Sequence, residues 1–355
     1  MRILYLITKS EAGGAQTHVA ELCRYFSSLG HEVGVLSYPG GWLQSEIERN
    51  GAKFLSNKYF SNSLNPINFF KALLKTKELI YDFKPDLVHC HSSAAGVYGR
   101  LSVRNKIRTL YTAHGWGFNI GVSWWQKILA ILVEKILSSY AQKIICVSQF
   151  VKDLAIKYKI APEEKFEVVL NGVELLPEKF LDNEKLDITF VGRLAEPKDP
   201  MLLLKAVEQI KNNFVVNIVG AGPKFSELEK YINSHNLTNV NLLGELDREK
   251  TLGVLRNSDV FVLVSKWEGL PITVLEAMSV GLPIISSDVG GVSEAVDANN
   301  GILIYNDVVD LKIALKKLIV DKDLRDRMGK NGRYKIQTIF SLEEMLKKIN
   351  NIYKL

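Results

Sequence analysis

Short apolar runs alternate with longer stretches of helical periodicity from one end of this sequence to the other, and this alternation limits the possible folds more than any other feature. Runs rich in Val, Ile, Leu and Phe are typical of strands that are buried on both faces. Strands that alternate with helices form βαβ units and parallel sheets. The pattern predicts an α/β fold, with first-half strands at residues 3–7, 32–36, 53–55, 87–91, 108–112, 143–147 and 166–169.

A polar stretch after Asn171 and Gly172 interrupts the alternation, which restarts at residue 187. A chain of 355 residues suits two α/β domains of about 150–180 residues each. We predict an N-terminal domain at 1–172, a linker at 173–186, a second domain at 187–338 and a final helix at 339–355, with helix throughout 321–355. Strands of the second domain are predicted at residues 187–191, 214–219, 240–243, 260–264, 283–285 and 301–304.

The composition, 47% hydrophobic and 24% charged residues, indicates a globular protein. The sequence has no run of about eighteen apolar residues, the length that a membrane span needs, and its apolar start is too short for a signal peptide. The three cysteines, Cys23, Cys90 and Cys146, lie in apolar stretches. We interpret them as buried free thiols, which favours a reducing cytoplasm.

Positive charge is concentrated in the first half of the chain. Residues 1–170 contain 21 Lys and Arg against 13 Asp and Glu, a net charge of +8, whereas the remainder contains 24 against 26, a net of −2. A basic half is suited to an anionic membrane surface or an acidic acceptor. Ordinary solvated lysines explain the count equally well, and no nucleic-acid partner is predicted.

The stretch from Ser265 to Glu276 carries the clearest functional signal. It follows an apolar run and opens a helix, and Pro271 suits the first helical position, where no backbone donor is lost. Gly269 lets the backbone approach a ligand closely, and the free amides of the first turn favour a phosphate. Glu268 and Glu276 are acceptors for sugar hydroxyls. Together these features indicate a nucleotide-sugar site.

Glu268 and Glu276, in the surroundings Trp-Glu-Gly-Leu-Pro and Leu-Glu-Ala-Met, resemble the E-x7-E motif of the retaining glycosyltransferases of family 4. The resemblance implies the GT-B fold, with two Rossmann-like domains facing a central cleft and the C-terminal helix returning to the N-terminal domain. It also implies transfer of a hexose or N-acetylhexosamine from a nucleotide sugar, with UDP the commoner donor, to a surface-polysaccharide or lipid-linked saccharide acceptor.

The resemblance assigns roles to several residues of the second half. Gly192-Arg193-Leu194 with Lys198 looks like the family's diphosphate clamp, in which a guanidinium fork and an ammonium point charge hold the leaving group. Glu276 would hold the ribose hydroxyls and Glu268 the donor sugar. The backbone that would contact sugar and phosphate is that of Gly269, Leu270, Pro271 and Ile272, and the base would lie against Glu245 and Leu246.

Two places in the first half match the family as well. Gly13 and Gly14 lie where a loop of the family approaches the donor diphosphate, although a plain strand–helix turn is the alternative. His114 follows a strand and precedes a glycine, where a family histidine lies near the donor sugar. His89 and His91 share one face of a strand, and we interpret them as packing residues. The catalytic residues implied are His114, Glu268, Arg193 and Lys198.

Two departures from related patterns affect the expected chemistry. Pro271 stands where many relatives have an amide donor, so one backbone contact to the donor is in doubt. The Asp-x-Asp at Asp321 and Asp323 opens a C-terminal helix far from any glycine loop and is interpreted as a helix cap. The cation-binding Asp-x-Asp of other transferases is therefore missing, which predicts catalysis with no metal and no cofactor.

The segment 124–137 is apolar on most faces, and a buried core helix is the default interpretation. The alternative is that this helix, with the preceding loop at 117–122, forms a surface for a lipid-linked acceptor. The segment 220–223, Gly-Ala-Gly-Pro, is interpreted as a turn after a strand rather than a nicotinamide motif.

Three rival functions remain open. A sugar-nucleotide 2-epimerase of the GT-B fold would need several acid–base residues that the sequence does not identify. A phosphorylase would need a lysine holding pyridoxal phosphate. An inactive nucleotide-sugar-binding partner of another transferase would not need the intact Arg193, Lys198, Glu268 and Glu276.

Overall fold

The structure is a computed structural model that describes residues 1–60, 65–119, 122–178, 185–211 and 213–354. The chain divides into two compact units, Met1–Leu170 and Asn171–Leu355. Part of the predicted linker, residues 179–184, and residues 120 and 121 of the loop before the apolar helix lie outside the described residues.

The first unit contains a fully parallel sheet of seven strands. Its strands are β1 (Arg2–Leu6), β2 (Glu32–Ser37), β3 (Lys53–Ser56), β4 (Leu87–His91), β5 (Arg108–Ala113), β6 (Lys143–Cys146) and β7 (Phe166–Val168). Their order across the sheet is β3-β2-β1-β4-β5-β6-β7. The order reverses between β1 and β4, which is the switch point where ligands bind in doubly wound sheets.

The connections of the first unit are helices, as right-handed crossovers between parallel strands require. They are α1 (Gly14–Ser28), α2 (Gly41–Arg49), α3 (Pro66–Phe83), α4 (Ser93–Val103), α5 (Trp124–Ser138) and α6 (Gln149–Lys157), with a short 3-10 turn at Glu163–Lys165. The inward faces of the helices and both faces of the sheet make up the core. Cys23, Cys90 and Cys146 are buried free thiols, as predicted.

The second unit repeats the architecture with six parallel strands in the order β10-β9-β8-β11-β12-β13. The strands are β8 (Leu186–Val191), β9 (Phe214–Val219), β10 (Val240–Gly244), β11 (Val260–Leu263), β12 (Ile284–Ser287) and β13 (Gly301–Ile304). The helices are α7 (Pro200–Val207), α8 (Phe225–Ser234), α9 (Arg248–Arg256), α10 (Ile272–Ser279), α11 (Val292–Ala295), α12 (Val308–Val320), α13 (Lys322–Thr338) and α14 (Leu342–Lys354). Every predicted strand is confirmed, with each end within two residues of its predicted position.

The prediction of unbroken helix over 321–355 is wrong, because α13 ends at Thr338 and α14 begins at Leu342. Between them, Val173 donates from its amide to the Phe340 carbonyl at 2.9 Å and accepts from the Leu342 amide at 3.1 Å. These contacts replace the helical hydrogen bonds at the break. Whether the last helix also packs on the N-terminal domain stays a prediction.

The interpretation of the apolar helix as a core element is also wrong. Helix α5 has six large apolar side chains that are about half exposed or more, and its buried positions include a charged residue, Glu134.

Asp321 is a helix cap as predicted, since its carboxylate accepts from the Leu324 amide at 2.8 Å. Among the helices that the structure describes, none combines the length and the apolar character that a membrane crossing requires.

Candidate active site

The loops that follow β8 and β11 lie side by side in the second unit. These two strands are neighbours in the sheet, so their carboxyl ends meet at one edge. Beyond the strands, Lys198 and Ser265 form an isolated antiparallel bridge, and the Lys266 amide donates to the Pro197 carbonyl at 2.8 Å. The backbone therefore joins two of the sequence motifs that were predicted to form one site.

Lys198 and Glu268, seventy positions apart in the sequence, form an ion pair across this junction, with Lys198 Nζ donating to Glu268 Oε1. Their side chains are only 15% and 11% exposed. The stem of Lys198 passes Gly192, where an added Cβ would lie 3.5 Å from Lys198 Cε. Because the pair is largely withdrawn from water, each charge needs the other as its partner.

Glu276 lies inside α10 and is also paired. Its Oε1 lies 3.4 Å from Nη2 of Arg248, the first residue of α9, and the carboxylate side chain is 9% exposed. Sequence reasoning missed Arg248. It belongs to no motif, although it comes shortly after Glu245 and Leu246, which follow β10 and were predicted to lie against the base. Glu245 is exposed and Leu246 is half-buried.

Arg193 lies on the same loop as Lys198, beside a second cluster of charges. Its Nη2 donates to the Glu196 carbonyl at 3.4 Å, and the carboxylate of Glu196 accepts from Lys224 and Lys266, each at 3.0 Å. The hydrogen bond from Lys266, followed by that from Lys224, lowers the pKa of Glu196 below its ordinary value. The Lys224 ammonium also donates to the Lys198 carbonyl at 3.1 Å. Several cations on this loop and its neighbours thus lie where a diphosphate was predicted to bind.

The turn at 220–223 packs against the Gly192 loop. A Cβ at Gly220, whose φ is +145°, would lie 2.0 Å from the Gly192 carbonyl oxygen, and one at Gly222 would lie 2.4 Å from that of Leu194. The Leu194 amide donates to the Ala221 carbonyl at 2.8 Å. The turn therefore holds the Gly192 loop, which carries Arg193, in place.

The backbone around Glu268 is fixed by a second glycine that sequence reasoning missed. Gly290 has φ +60°, and a Cβ there would lie 1.8 Å from the Glu268 carbonyl oxygen. The next amide, of Gly291, donates to the same oxygen at 3.3 Å. On the other side of the loop, Asn171 Nδ2 donates to the Leu270 carbonyl at 2.8 Å.

Helix α10 begins one residue later than predicted, so Pro271 precedes the first helical position instead of occupying it. Pro271 is the N-cap of α10, and Ile272 is the first helical residue. The extended conformation of Pro271, with ψ 119°, places its ring before the first turn, and its carbonyl accepts from the Val274 amide at 3.1 Å. Gly269, Leu270, Pro271 and Ile272 thus form the turn that leads from Glu268 into the helix.

Gly13 and Gly14 open α1 in the first unit. Gly13 is the N-cap, Gly14 is the first helical residue, and both are exposed. A Cβ at Gly13 would lie 2.7 Å from Gln16 Oε1, whose side chain donates to the Lys9 carbonyl at 3.2 Å. The exposed helix start suits the predicted approach of an anion.

His114 belongs to a cluster of four histidines with His18, His89 and His91. His91 Nδ1 lies 3.2 Å from His114 Nε2, and the rings of His18 and His114 pack edge to face with centroids 5.0 Å apart. His89 Nε2 lies 2.7 Å from Thr112 Oγ1. Burial, reinforced by the neighbouring imidazoles, lowers the pKa of His89, His91 and His114 well below the ordinary value. These three imidazoles are therefore neutral at pH 7.

The arrangement separates into two sets of predicted residues. The second unit joins Lys198 to Glu268 and adds Arg248 to Glu276, whereas Gly13, Gly14 and His114 lie in the first unit.

No group of three or more His, Cys, Asp or Glu in the described part of the chain is placed to hold a metal ion. A cavity of about 480 Å³ at the amino edge of the second sheet, lined by Asp259 and Pro283 among others, contains none of the predicted site residues.

Comparison with known proteins agrees with the motifs. The family profile described as Glycosyltransferase Family 4 matches residues 12–175, and that described as Glycosyl transferases group 1 matches residues 174–335. The chain is 32% identical over 325 residues to the O-antigen biosynthesis glycosyltransferase WbnH of Escherichia coli, covering 89% of this chain and 90% of that protein. It is also 32% identical over 315 residues to the UDP-Gal:alpha-D-GlcNAc-diphosphoundecaprenol alpha-1,3-galactosyltransferase of Escherichia coli, covering 82% and 81%.

Among solved structures, the fold is similar to that of Anabaena HepE in complex with UDP-glucose. The TM-score is 0.87, with 18% sequence identity and coverage of 100% of this chain and 99% of that one. At this identity the likeness concerns the fold alone.

Proposed function

This chain belongs to family 4 of the glycosyltransferases, hexosyltransferases with two Rossmann-like domains of the GT-B type, and from that premise we propose its reaction. The enzyme transfers a hexose or N-acetylhexosamine unit from a UDP-sugar to a lipid-linked or surface-polysaccharide saccharide. The configuration at the anomeric carbon is retained. A relative whose name gives UDP-Gal as donor and a diphosphoundecaprenol-linked sugar as acceptor supports this choice of substrates.

The observation that carries the proposal is the ion pair between Lys198 and Glu268 at the junction of two strand–helix loops. It joins a cation suited to a diphosphate and a carboxylate suited to sugar hydroxyls. A nucleotide sugar has both groups, linked through the bond that must break. One donor molecule bound at this junction would engage both side chains.

The proposed chemistry follows from those contacts. The bond between the anomeric carbon and the β-phosphate oxygen breaks, and UDP leaves with the electron pair. The acceptor hydroxyl oxygen bonds to the anomeric carbon on the same face, and its proton passes to the departing diphosphate. Arg193 and Lys198 stabilise the negative charge that develops, an effect of about 2.7–4 kcal/mol for each preset donor.

The remaining residues position the donor in this proposal. Glu276, oriented by Arg248, accepts from the ribose hydroxyls, and the base lies against Glu245 and Leu246. His114, neutral at pH 7, contacts the donor sugar. Because Arg193 and Lys198 supply the positive charge, we expect no metal ion or other cofactor to be required. The buried free cysteines support a location at the cytoplasmic face of a membrane, where peripheral contact with anionic lipid would bring the enzyme to its acceptor.

The test is thermal stabilisation by nucleoside diphosphates and nucleotide sugars with EDTA present, on the wild type and on Arg193→Ala. Ligand at a hundred times its Kd stabilises the folded state by about 2.7 kcal/mol. We expect UDP and one UDP-sugar to raise the melting temperature of the wild type, and the variant to need far more ligand. Arg256→Ala is the control, since this arginine donates to the Leu252 carbonyl at the far end of α9.

A second measurement separates the transferase from its rivals. Release of UDP from the donor must depend on added acceptor, and nuclear magnetic resonance of the product must show the donor's anomeric configuration. An epimerase would change the donor sugar without an acceptor, and an inactive partner would bind the donor and release nothing. Either result would refute the proposed reaction.

A further inference from the structure

Helix α5 presents an apolar surface to solvent. Its outward side chains are 48 to 74% exposed and comprise Trp124, Trp125, Ile128, Leu129, Leu132 and Ile136. Helix α3 presents a similar row that is 61 to 66% exposed and comprises Ile67, Phe70 and Leu74. We call these nine side chains the apolar face. Isolated exposed apolar residues are ordinary, whereas a large exposed apolar group on one layer of helices indicates an interaction surface.

The two helices belong to one layer of the first unit. Helix α4 packs against both α3 and α5, and most of its residues are buried, so the three helices lie side by side over the sheet. Phe69 of α3 and Tyr98 of α4 have ring centroids 5.3 Å apart, which fixes the inner side of α3. The outer sides of α3 and α5 therefore turn away from the sheet together.

A buried ion pair fixes the rotation of α5. On its inward side, Glu134 Oε2 lies 2.9 Å from Arg100 Nη2, with side chains 5% and 0% exposed. Arg100 also donates from Nε to the Gly96 carbonyl at 2.8 Å and stacks over the Tyr111 ring at 4.3 Å. Rotating α5 about its axis to bury its apolar side would separate this pair and leave a buried charge without its partner, which is strongly unfavourable. The exposure of the apolar side is therefore held by the fold.

The charges beside the apolar face are mostly positive. On α5 the single acid is the buried Glu134, and the lysines are the exposed Lys135 and the half-buried Lys127, whose ammonium lies 5.0 Å from the centre of the Tyr158 ring. On α3, three lysines stand against two acids, and Lys71 and Lys75 are interleaved with Phe70 and Leu74. Lysine is depleted at protein–protein interfaces, whereas Trp, Leu and Ile mixed with Lys are typical of helices that lie in the headgroup region of a bilayer.

We propose that the apolar face is a membrane-docking surface, which inserts into the headgroup region of a bilayer containing anionic lipid, with its lysines on the phosphates. This inference extends the proposed function, from which it takes the lipid-linked acceptor. In a parallel sheet each helix begins at the carboxyl end of the preceding strand, so Ile67 and the two tryptophans lie at the edge that carries His114. Docking would thus bring that edge of the first unit to the membrane surface.

The test is flotation of the full-length protein with vesicles of phosphatidylcholine, with and without phosphatidylglycerol. The variant is Ile128→Gln/Leu132→Gln/Ile136→Gln, since glutamine keeps the helix propensity of α5. The matched control is Val309→Gln/Ile313→Gln/Val320→Gln on α12, where the three apolar side chains are 52 to 75% exposed. Circular dichroism must show that both variants melt like the wild type.

We expect the wild type and the α12 variant to float with anionic vesicles, and the α5 variant to bind at least tenfold more weakly. Binding of the wild type should fall on neutral vesicles and at high salt. Equal flotation of all three proteins, loss in both variants, or no flotation of the wild type would overturn the proposal. So would a wild-type dimer that the α5 variant converts to a monomer without any vesicle binding.

Transfer assays distinguish failure of this inference from failure of the proposed function. The α5 variant should act at the wild-type rate on a water-soluble acceptor and at least tenfold more slowly on acceptor embedded in vesicles. If the wild type transfers to neither acceptor yet floats, the proposed reaction fails and the docking surface stands. If the wild type and the α5 variant act equally fast on acceptor embedded in vesicles, the docking surface is refuted and the proposed reaction stands.

Discussion

Adding one methyl group at Gly290 should reduce the use of the donor more than it reduces the stability of the fold. Its φ of +60° is in the left-handed region, and a Cβ would lie 1.8 Å from the Glu268 carbonyl oxygen. Real Cβ atoms essentially never come within 3.0 Å of a heavy atom outside their own residue and its two chain neighbours. One of the two backbones must therefore move by more than about 1 Å in Gly290→Ala. Either movement changes the contact through which the backbone at Gly290 and Gly291 holds the Glu268 carbonyl.

Two contributions set the expected loss of stability. An alanine in the left-handed conformation costs about 1–2 kcal/mol, and overpacking against the Glu268 carbonyl costs about 1–3 kcal/mol more. Gly244→Ala isolates the first contribution in the same unit, because Gly244 has φ +70° and nothing within 4 Å of its Cβ position. Urea unfolding should therefore show Gly290→Ala to be less stable than Gly244→Ala by about 1–3 kcal/mol.

The functional effect should exceed the loss of stability. Displacement of a positioning group by about 1 Å can reduce the rate about a hundredfold, so we expect kcat/KM for the donor to fall by about that factor at temperatures where the variant is folded. Gly51→Ala is the activity control, with φ +74° and open space around its Cβ position in the first unit. If Gly290→Ala retains the donor kinetics of Gly51→Ala, the contact does not position Glu268, and the reasoning from the glycine is refuted.

Three further predictions concern charged and titratable groups. Arg248→Gln should raise the donor KM about fivefold, because Glu276 loses an ion pair of about 1 kcal/mol at a partly exposed site, and an unchanged KM would show that the arginine does not orient the carboxylate. Glu268→Gln should bind UDP several-fold more tightly in calorimetry yet transfer sugar at least tenfold more slowly, since its lysine partner becomes available to the diphosphate. His89, His91 and His114 have folded pKa values well below the ordinary value, so the unfolded chain binds more protons as the pH falls. The free energy of unfolding should therefore fall between pH 7 and pH 5, by up to about 2 kcal/mol for each of the three imidazoles. A flat profile in urea unfolding would contradict their burial as neutral groups.

The strands were predictable because each is a local feature of the sequence. A run such as Val260–Leu263 is apolar on both faces and follows a polar residue, Asp259, and its identity as a strand does not depend on its partners. The strand order in each sheet then follows from right-handed crossovers and short connections. The break between α13 and α14 was not predictable, because it depends on hydrogen bonds with Val173, more than 160 positions earlier.

The site was predictable in its members but not in its pairings. Motif spacing identified Lys198 and Glu268 separately, whereas their contact depends on how the loops after β8 and β11 meet. Arg248 and Gly290 belong to no motif that the sequence displays. Arg248 matters because it pairs with the Glu276 carboxylate, and Gly290 because its backbone lies against the Glu268 carbonyl. Both contacts join segments that come together only in the folded chain.

Helix α5 shows what an apolar pattern measures. Periodicity reports that a face prefers an apolar surrounding, but it does not say whether the protein interior or a bilayer supplies that surrounding. The sequence held a clue in Glu134, the single acid of the helix, because a buried carboxylate needs a cation and Arg100 lies 34 positions earlier. Since that pair occupies the inward side, the apolar side must face outward. A charge inside and tryptophans outside are what a helix needs if its apolar partner is a lipid surface rather than the protein core.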